Sequence, residues 1–407
     1  MLIGQPRIVS APAARWKVHS QALLAFDNDH TLELISDARG RTLGYEMRTS
    51  RRRFACALLG EKFTRTLTGD GDAYAPVVSG DRWAAATVER VPGGLRGYEM
   101  TLLVGDVRSG RVLRRLRVAR ADALDPGDVA ISPRGDVAVS WFRPVPPRGG
   151  TVYGPDAVVS VLRAGQARLS PAQLITRDVA IDGFTAFYGS QMAFGPRGDL
   201  AILEQDADTR VRIRTTDGRL GPARHVTGRV EFPEAPVVTA AGTVIVAWHG
   251  RHGNSAVASS RLTDDGFGPP QHLSGDRVSA VRIVADSRGA STVGWSTKTE
   301  TWTADLRPDG RVGPRHRAAG DMKALVSAPD GRLLLITEDH DRALHARLRS
   351  VGATSFGEPE TIAGTRFATD VVAGFTTPAD IPAIVVQRNA PSAGGTYKQA
   401  LVTATRD

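Results

Sequence analysis

The sequence predicts an all-β fold, a single β-propeller of four-stranded antiparallel blades, from three observations. A unit made of a turn and a strand recurs at 215–228, 263–276 and 307–321. A hairpin unit precedes each copy, and no long stretch has the apolar period of a helix. The complete repeat is a four-stranded meander of about 45 residues, which is the length of a propeller blade.

The hairpin unit is a short apolar strand, a turn with glycine, and a strand that alternates apolar and small residues. The clearest copies are AISPRGDVAVSW (130–141), AFGPRGDLAILE (193–204), VVTAAGTVIVAW (237–248), IVADSRGASTVGW (283–295) and LVSAPDGRLLLIT (325–337), and weaker copies span 34–45 and 76–89. Tight hairpins need a residue with positive φ, which glycine adopts without steric cost. The predicted turn glycines are Gly40, Gly80, Gly135, Gly198, Gly242, Gly289 and Gly331.

The stretches SPRGDVAVSW and SAPDGRLLLI resemble the inner turns of TolB-like and WD40-like β-propellers, and the resemblance covers nearly the whole chain. No repeat ends in the Trp-Asp pair of true WD40 repeats. The sialidase-type Asp box is absent too, because DSRGASTVGW spaces its Asp, Gly and Trp differently. The resemblance therefore implies a fold and no particular activity.

The seven copies and the C-terminal strands at about 366–404 give eight inner-strand units, which predict eight blades, with seven as the alternative, in one domain that spans 1–407. The strand at about 4–10 matches the outer-strand pattern at 357–363, and we expect it to complete the last blade, at about 366–404. Pairing of the N- and C-terminal strands would close the ring and remove exposed strand edges. The run QALLAF (21–26) is the alternative closing strand.

The composition is that of a soluble globular protein, with a net charge of +9 and only five lysines among 52 basic residues. Such a balance permits an anionic partner. The most basic stretch, 108–120, has no aromatic residue for base stacking, so nucleic acid is disfavoured as a partner although not excluded.

Three features bear on the compartment and on cofactors. No apolar run reaches the roughly 20 residues that span a bilayer, so no membrane insertion is expected. Cys56 is the only cysteine, which excludes intramolecular disulfides and cysteine-based zinc sites. The first 15 residues lack a secretory apolar segment, so the protein is cytoplasmic as numbered, or exported if a leader was removed.

Binding residues are expected in the loops that join the second and third strands of each repeat, because these loops vary while the frame repeats. Loops of the last repeat and the first three are rich in arginine, whose planar fork suits carboxylate, sulfate or phosphate. The candidate ligand-binding residues are Arg48, Arg51, Arg52, Arg53, Arg143, Arg148 and Arg388. Two later loops are acidic, through Glu204, Asp206 and Asp208 and through Glu338, Asp339 and Asp341.

Catalytic signals are weak, and no cofactor is expected. The nucleophile elbow G-x-S-x-G, the P-loop, the dinucleotide fingerprint and the HExxH motif are all absent. Asp339 and Asp341 are weak metal candidates, since they project to the same side of an extended strand. If the chain is an enzyme, its candidate catalytic residues are His249, His252, His340, Arg251 and Tyr153.

Two hypotheses follow. The first is a non-catalytic module that presents a charged loop face to an anionic polymer, such as an acidic glycan, or to a protein partner. The second is a glycan-active lyase or hydrolase with its site over the central channel. In that enzyme arginine would neutralise a substrate carboxylate while histidine or tyrosine moves the proton.

Overall fold

The chain is built from β-strands. The computed structural model describes residues 16–23, 30–36, 42–48, 53–58, 64–70, 72–79, 82–91, 97–106, 111–122, 124–145, 154–177, 191–205, 208–230, 232–250, 255–275, 277–286, 289–328, 330–362, 368–376, 381–391 and 397–406. Within these ranges every regular element is a strand, so the all-β part of the prediction is confirmed. No helix in the described part is long and apolar enough to cross a membrane.

The strands form separate antiparallel sheets, numbered here in chain order. Sheet 1 contains β2 (His30–Ser36), β3 (Thr42–Arg48), β4 (Arg53–Leu58) and β5 (Thr64–Asp70). Sheet 2 contains β6 (Asp72–Ser79), β7 (Arg82–Arg90), β8 (Tyr98–Asp106) and β9 (Val112–Ala121). Sheet 3 contains β10 (Asp125–Ile131), β11 (Val137–Arg143), β12 (Asp156–Leu162) and β13 (Gln173–Thr176). Sheet 4 contains β14 (Gln191–Phe194), β15 (Leu200–Gln205), β16 (Asp208–Arg214) and β17 (Arg224–Gly228).

The remaining sheets follow the same meander. Sheet 5 contains β18 (Phe232–Pro233), β19 (Val237–Val238), β20 (Thr243–His249), β21 (Ser255–Arg261) and β22 (Gln271–Ser274). Sheet 6 contains β23 (Ala280–Ala285), β24 (Ser291–Ser296), β25 (Glu300–Leu306) and β26 (Val312–Ala319). Sheet 7 contains β27 (Asp321–Ser327), β28 (Leu333–Glu338), β29 (Leu344–Arg349) and β30 (Glu360–Thr361). The terminal sheet contains β1 (Trp16–Leu23), β31 (Ala368–Thr376), β32 (Ile381–Pro391) and β33 (Tyr397–Arg406).

The predicted inner turns are present where the structure describes them. The glycines with positive φ at these turns are Gly135, Gly198, Gly242, Gly289 and Gly331. In the first of them the Gly135 amide donates to the Ser132 carbonyl, and the Ser132 amide donates to the Asp136 carbonyl. Gly40 and Gly80 lie outside the described residues.

Neighbouring sheets pack face to face through their side chains. Strand β20 shows the pattern, since every residue from Thr243 to Trp248 is buried. Val244, Val246 and Trp248 belong to a core cluster shared with sheet 4. The alternate residues Ile245 and Ala247 belong to a cluster shared with sheet 6. A strand with both faces buried is therefore apolar almost throughout, which explains its sequence.

Three tryptophans at equivalent positions of their strands fill the interfaces between sheets. Trp141 of sheet 3 packs in a cluster with sheet 2, Trp248 of sheet 5 with sheet 4, and Trp295 of sheet 6 with sheet 5. Each is at most 4% exposed, and the members of its cluster show that each ring faces the preceding sheet. The repeated tryptophan is a packing residue, as repetition at one structural position indicates.

The repeated Asp-Gly turn is held to the preceding sheet at two junctions, between sheets 3 and 4 and between sheets 5 and 6. Gln173 of sheet 3 donates through its side-chain amide to the carbonyl of Gly218 in sheet 4 (2.9 Å). Gln271 of sheet 5 donates in the same way to Gly310 in sheet 6 (3.2 Å), and its Oε1 accepts from the Val312 amide (3.0 Å). The recurrence of the turn thus reflects a contact between sheets, which we call the glutamine clamp.

The predicted single eight-bladed propeller closed into a ring is wrong, and so is its seven-bladed alternative. The described strands form separate sheets, and none of these sheets closes on itself. The repeats specify a four-stranded meander and the faces that it buries. They carry no information on closure, because every hydrogen-bonded ladder ends within its own sheet.

The termini pair as strands, and the N-terminal strand overlaps the alternative run 21–26 at residues 21–23. Strand β1 (Trp16–Leu23) pairs antiparallel with β33, from Trp16 opposite Arg406 to Leu23 opposite Ala400. Residues 4–10, the predicted closing strand, lie outside the described residues.

Candidate functional site

Each sheet has two ends with different chemistry. The loop end is the one at which the second and third strands are joined, and it carries those predicted site residues that the structure describes. The turn end is opposite, and it carries the Gly-bearing turns between first and second strands.

Of the predicted arginines, one has a described side chain, and its charge is paired. Arg143, at the end of β11, binds its register partner Asp156 on β12 (2.9 Å). Arg48 and Arg53 are register partners across the β3–β4 hairpin, and Arg388 lies on β32. Arg51, Arg52 and Arg148 lie outside the described residues.

The predicted catalytic histidines lie in different sheets. His249, the last residue of β20, stacks on Phe232 with ring centroids 4.8 Å apart. His340 is exposed in the turn after β28 and lies 3.4 Å from Asp341. Arg251, His252 and Tyr153 lie outside the described residues.

The weak metal candidates are engaged within one turn. The Asp339 carboxylate accepts from the Ala343 amide (2.9 Å) and contacts His345 Nε2 (2.8 Å). The hydrogen bond with His345 lowers the pKa of Asp339 most, ahead of the opposing effect of burial. No group of three or more metal-ligating side chains occurs among the described residues.

Buried carboxyl groups form a second feature of the loop end. Burial raises the pKa of Glu204 to about 7, although its ion pair with Arg212 (2.6 Å) opposes the rise. Asp128 of β10 accepts from the Met192 amide of sheet 4 (2.6 Å), and burial raises its pKa to about 7. Burial also raises the pKa of Glu234, against the effect of Arg282. Perturbed carboxyl groups of this kind are typical of functional sites and also of structural ion pairs.

A polar cluster in the described part of the chain joins sheets 6 and 7 at the loop end, and we call it the serine–lysine cluster. Ser279 and Ser296 both donate to Asp321 Oδ1, each over 2.8 Å. Their hydroxyl oxygens lie 3.0 Å apart. The other carboxylate oxygen of Asp321 binds Lys323 Nζ (3.2 Å), which also binds Glu338 Oε2 (2.7 Å).

Members of the serine–lysine cluster differ in their access to solvent. Ser279 is exposed, while Ser296 and Glu338 are buried. Burial alone would lower the pKa of Lys323, but hydrogen bonds and charges from Glu338 and Asp321 raise it above its ordinary value. The ammonium therefore stays protonated, and the cluster combines an exposed hydroxyl, a carboxylate and a fixed cation.

Sequence reasoning missed Ser279, Asp321 and Lys323 because it considered only the loops between second and third strands. Ser279 lies directly before β23, and Asp321 and Lys323 lie at the start of β27. The signal in the sequence that could have identified these residues is a polar residue at the loop end of an otherwise apolar first strand. Among the members of this cluster, the charges of the loops pointed only to Glu338, at the end of β28.

The comparisons with known proteins concern the fold. No protein-family model matches the chain, and no curated relative is found. A puromycin-hydrolyzing peptidase of Mycobacterium tuberculosis aligns with a TM-score of 0.53 and 15% identity, over 94% of this chain and 63% of that one. Prolyl oligopeptidase B of Galerina marginata aligns with a TM-score of 0.50 and 11% identity, over 89% of this chain and 56% of that one. A structure from a study of two prolyl endopeptidases aligns with a TM-score of 0.49 and 14% identity, over 91% of this chain and 56% of that one.

The likeness is one of fold. This chain spans about 56–63% of the length of these peptidases. The resemblance to TolB-like and WD40-like groups is corrected by this result, since no repeat-family model matches and the structural neighbours are peptidases. The short inner turn that suggested those groups is shared by many antiparallel meanders, because any tight hairpin needs its glycine.

Proposed function

We propose that the chain is a hydrolase of acyl compounds, with peptides as its first substrate class and Ser279 as its nucleophile. The observation that carries the proposal is the exposed Ser279 hydroxyl, hydrogen-bonded to Asp321 beside the Lys323 ammonium. The fold likeness to a puromycin-hydrolyzing peptidase supports it and favours the hydrolase hypothesis over the non-catalytic module.

The roles follow from the chemistry of the three groups. Ser279 Oγ attacks the acyl carbon while its proton passes to the Asp321 carboxylate. Asp321 then gives the proton to the leaving nitrogen as the carbon–nitrogen bond breaks. Water hydrolyses the acyl-serine by the same proton path in reverse. The Lys323 ammonium supplies the positive charge that stabilises the negative carbonyl oxygen of the transition state.

The prediction is tested with purified protein and a library of aminoacyl and prolyl anilides. We expect Ser279→Ala to lower kcat/KM by roughly 10³-fold or more, since loss of a nucleophile leaves only binding and charge stabilisation. A fluorophosphonate probe should label Ser279, identified by mass spectrometry of the peptide that contains it.

Ser350→Ala is the matched control, because Ser350 is an exposed serine in the turn after β29. It should keep wild-type turnover. Failure of the wild-type protein to hydrolyse any acyl substrate contradicts the proposal, as does full activity of Ser279→Ala. Acidic polysaccharides are assayed in parallel, and product from these alone would replace the peptide with a glycan substrate.

A further inference from the structure

An arginine-lined cleft lies at the turn end, opposite the serine–lysine cluster. Its volume is about 550 Å³, and it is lined by Arg197, Arg261 and Arg307. These come from three consecutive sheets: the β14–β15 turn of sheet 4, the end of β21 in sheet 5, and the β25–β26 turn of sheet 6. The remaining wall includes Thr263 and Asp309.

The three guanidinium groups are available to a ligand. All three arginines are exposed, and in the part of the chain that the structure describes none of their guanidinium groups has an ion-pair or hydrogen-bond partner. Asp309 is the acidic residue of the wall, and it is paired with Arg311 (3.5 Å). A second carboxylate, Asp264, accepts from the Arg261 amide (3.2 Å), so three guanidinium groups face fewer carboxylates and the cleft keeps a net positive charge.

The backbone that carries Arg307 is held in place by the preceding sheet. Thr243 Oγ1 donates to the Pro308 carbonyl (2.7 Å), and Ser259 Oγ donates to the Asp309 carbonyl (3.0 Å). Arg224 donates to the Arg261 and Leu262 carbonyls (2.9 and 2.8 Å), which fixes the second wall. A fixed frame reduces the ordering cost of ligand binding.

We propose that this cleft binds a small ligand with two or more tetrahedral oxyanion groups, phosphate or sulfate. Arginine presents parallel donors that match such oxygens, and three like charges in one cleft favour a multiply charged partner. The volume lies within the range of small-molecule sites. No aromatic side chain lines the wall, so the ligand is recognised through its charges.

Titration calorimetry with tripolyphosphate tests the proposal, with sucrose octasulfate and citrate as the sulfate and carboxylate arms. We expect wild-type protein to bind tripolyphosphate or sucrose octasulfate at least 30-fold more tightly than the triple variant Arg197→Ala/Arg261→Ala/Arg307→Ala. The triple lysine variant keeps the charge and loses the fork, so its affinity should lie between the two. Thermal unfolding of each variant checks the fold.

The control variant Arg115→Ala/Arg117→Ala/Arg120→Ala removes the same charge from β9, where these side chains are also exposed. It should keep wild-type affinity within about twofold, and Ser279→Ala should bind as wild type. Equal loss in the β9 variant would overturn the proposal, since only net charge would then matter. The proposal is also overturned if citrate is the only probe that binds tightly, or if none of the three probes binds.

Discussion

Burial and ion pairing compete to set the protonation of single residues at the loop end, and the outcome differs from residue to residue. Glu204 has an arginine 2.6 Å away, yet its pKa is raised to about 7. Lys323 is half-buried, and burial alone would lower its pKa. Its pKa is raised instead, because two carboxylates stabilise the protonated amine. The same end of the molecule therefore carries groups that change charge near neutral pH and a cation that does not.

Glu204 gives a prediction about pH. Its ordinary value is 4.5 and its folded pKa is about 7, so the unfolded chain loses this proton first as pH rises. Its contribution to stability is greatest below pH 4.5, falls between pH 4.5 and 7, and is constant above. Glu204→Gln should remove that fall in the free energy of unfolding, measured by urea titration across this range.

Glu358→Gln, at an exposed glutamate, serves as the control and should keep the wild-type pH dependence. If Glu204→Gln shows the same slope as wild type between pH 4.5 and 7, the carboxyl group is not shifted as described. The Gln side chain still accepts the hydrogen bond from Arg212, so lost packing does not confuse the comparison.

At the scale of the elements, the repeated turn acts through contacts outside its own sheet. Gly310 has a positive φ of 83°, and its turn lies against Ser259 of the preceding sheet. Gly352 has a similar φ of 77° in the corresponding turn of sheet 7, with open space where a Cβ would be. The two glycines have the same backbone requirement and different surroundings.

This pair separates strain from crowding. A Cβ on residue 310 would lie 2.2 Å from the Ser259 side chain, whereas one on residue 352 meets nothing within 4 Å. Both alanine variants carry the left-handed strain, about 1–2 kcal/mol. Gly310→Ala should lose roughly 1–3 kcal/mol more in the free energy of unfolding, which denaturant titration measures. Equal losses would show that the turn moves away from Ser259 at no cost.

At the scale of the whole molecule, the stability of each sheet depends on side-chain contacts with its neighbours. Each described interface has its own apolar cluster. Hydrogen bonds between sheets, such as the glutamine clamp, fix how one sheet is positioned on the next. Arg349 of sheet 7, which is buried, reaches Asp305 of sheet 6 over 2.7 Å. A sheet of four strands with both faces apolar depends on its neighbours for burial.

Truncation of Trp248 tests this dependence. Trp248→Ala removes a buried ring from the interface of sheets 4 and 5 and should cost about 3–5 kcal/mol. Hydrogen exchange should then show faster exchange in β15 and β16 of sheet 4 as well as in sheet 5, with sheet 7 little changed. Loss of protection confined to sheet 5 would contradict the shared interface.

Local structure was predictable from the sequence, and long-range contacts were not. The glycine spacing predicts the inner turns, and the repeated tryptophans predict packing between sheets, because both follow from strand periodicity. The ion pair between Arg143 and Asp156 was within reach, since both flank one hairpin. The predicted ring closure failed because meander repeats end their hydrogen bonding at each sheet.

The serine–lysine cluster and the arginine-lined cleft could not be predicted from the sequence, for a related reason. Ser279 and Asp321 lie on different sheets, and the three cleft arginines belong to three repeats. Their proximity depends on how one sheet is placed on the next, which no pattern within a repeat encodes. Residues such as Arg51 and Tyr153, outside the described residues, stay predictions.

The glutamine clamp has a consequence for how such a chain changes its length. Because the donor on one repeat and the acceptor on the next are the same at the junctions of sheets 3–4 and 5–6, a module made of sheets 4 and 5, duplicated together, would meet a compatible neighbour on either side. Homologues that gain or lose mass should therefore do so in whole modules, leaving the joints between modules unaltered.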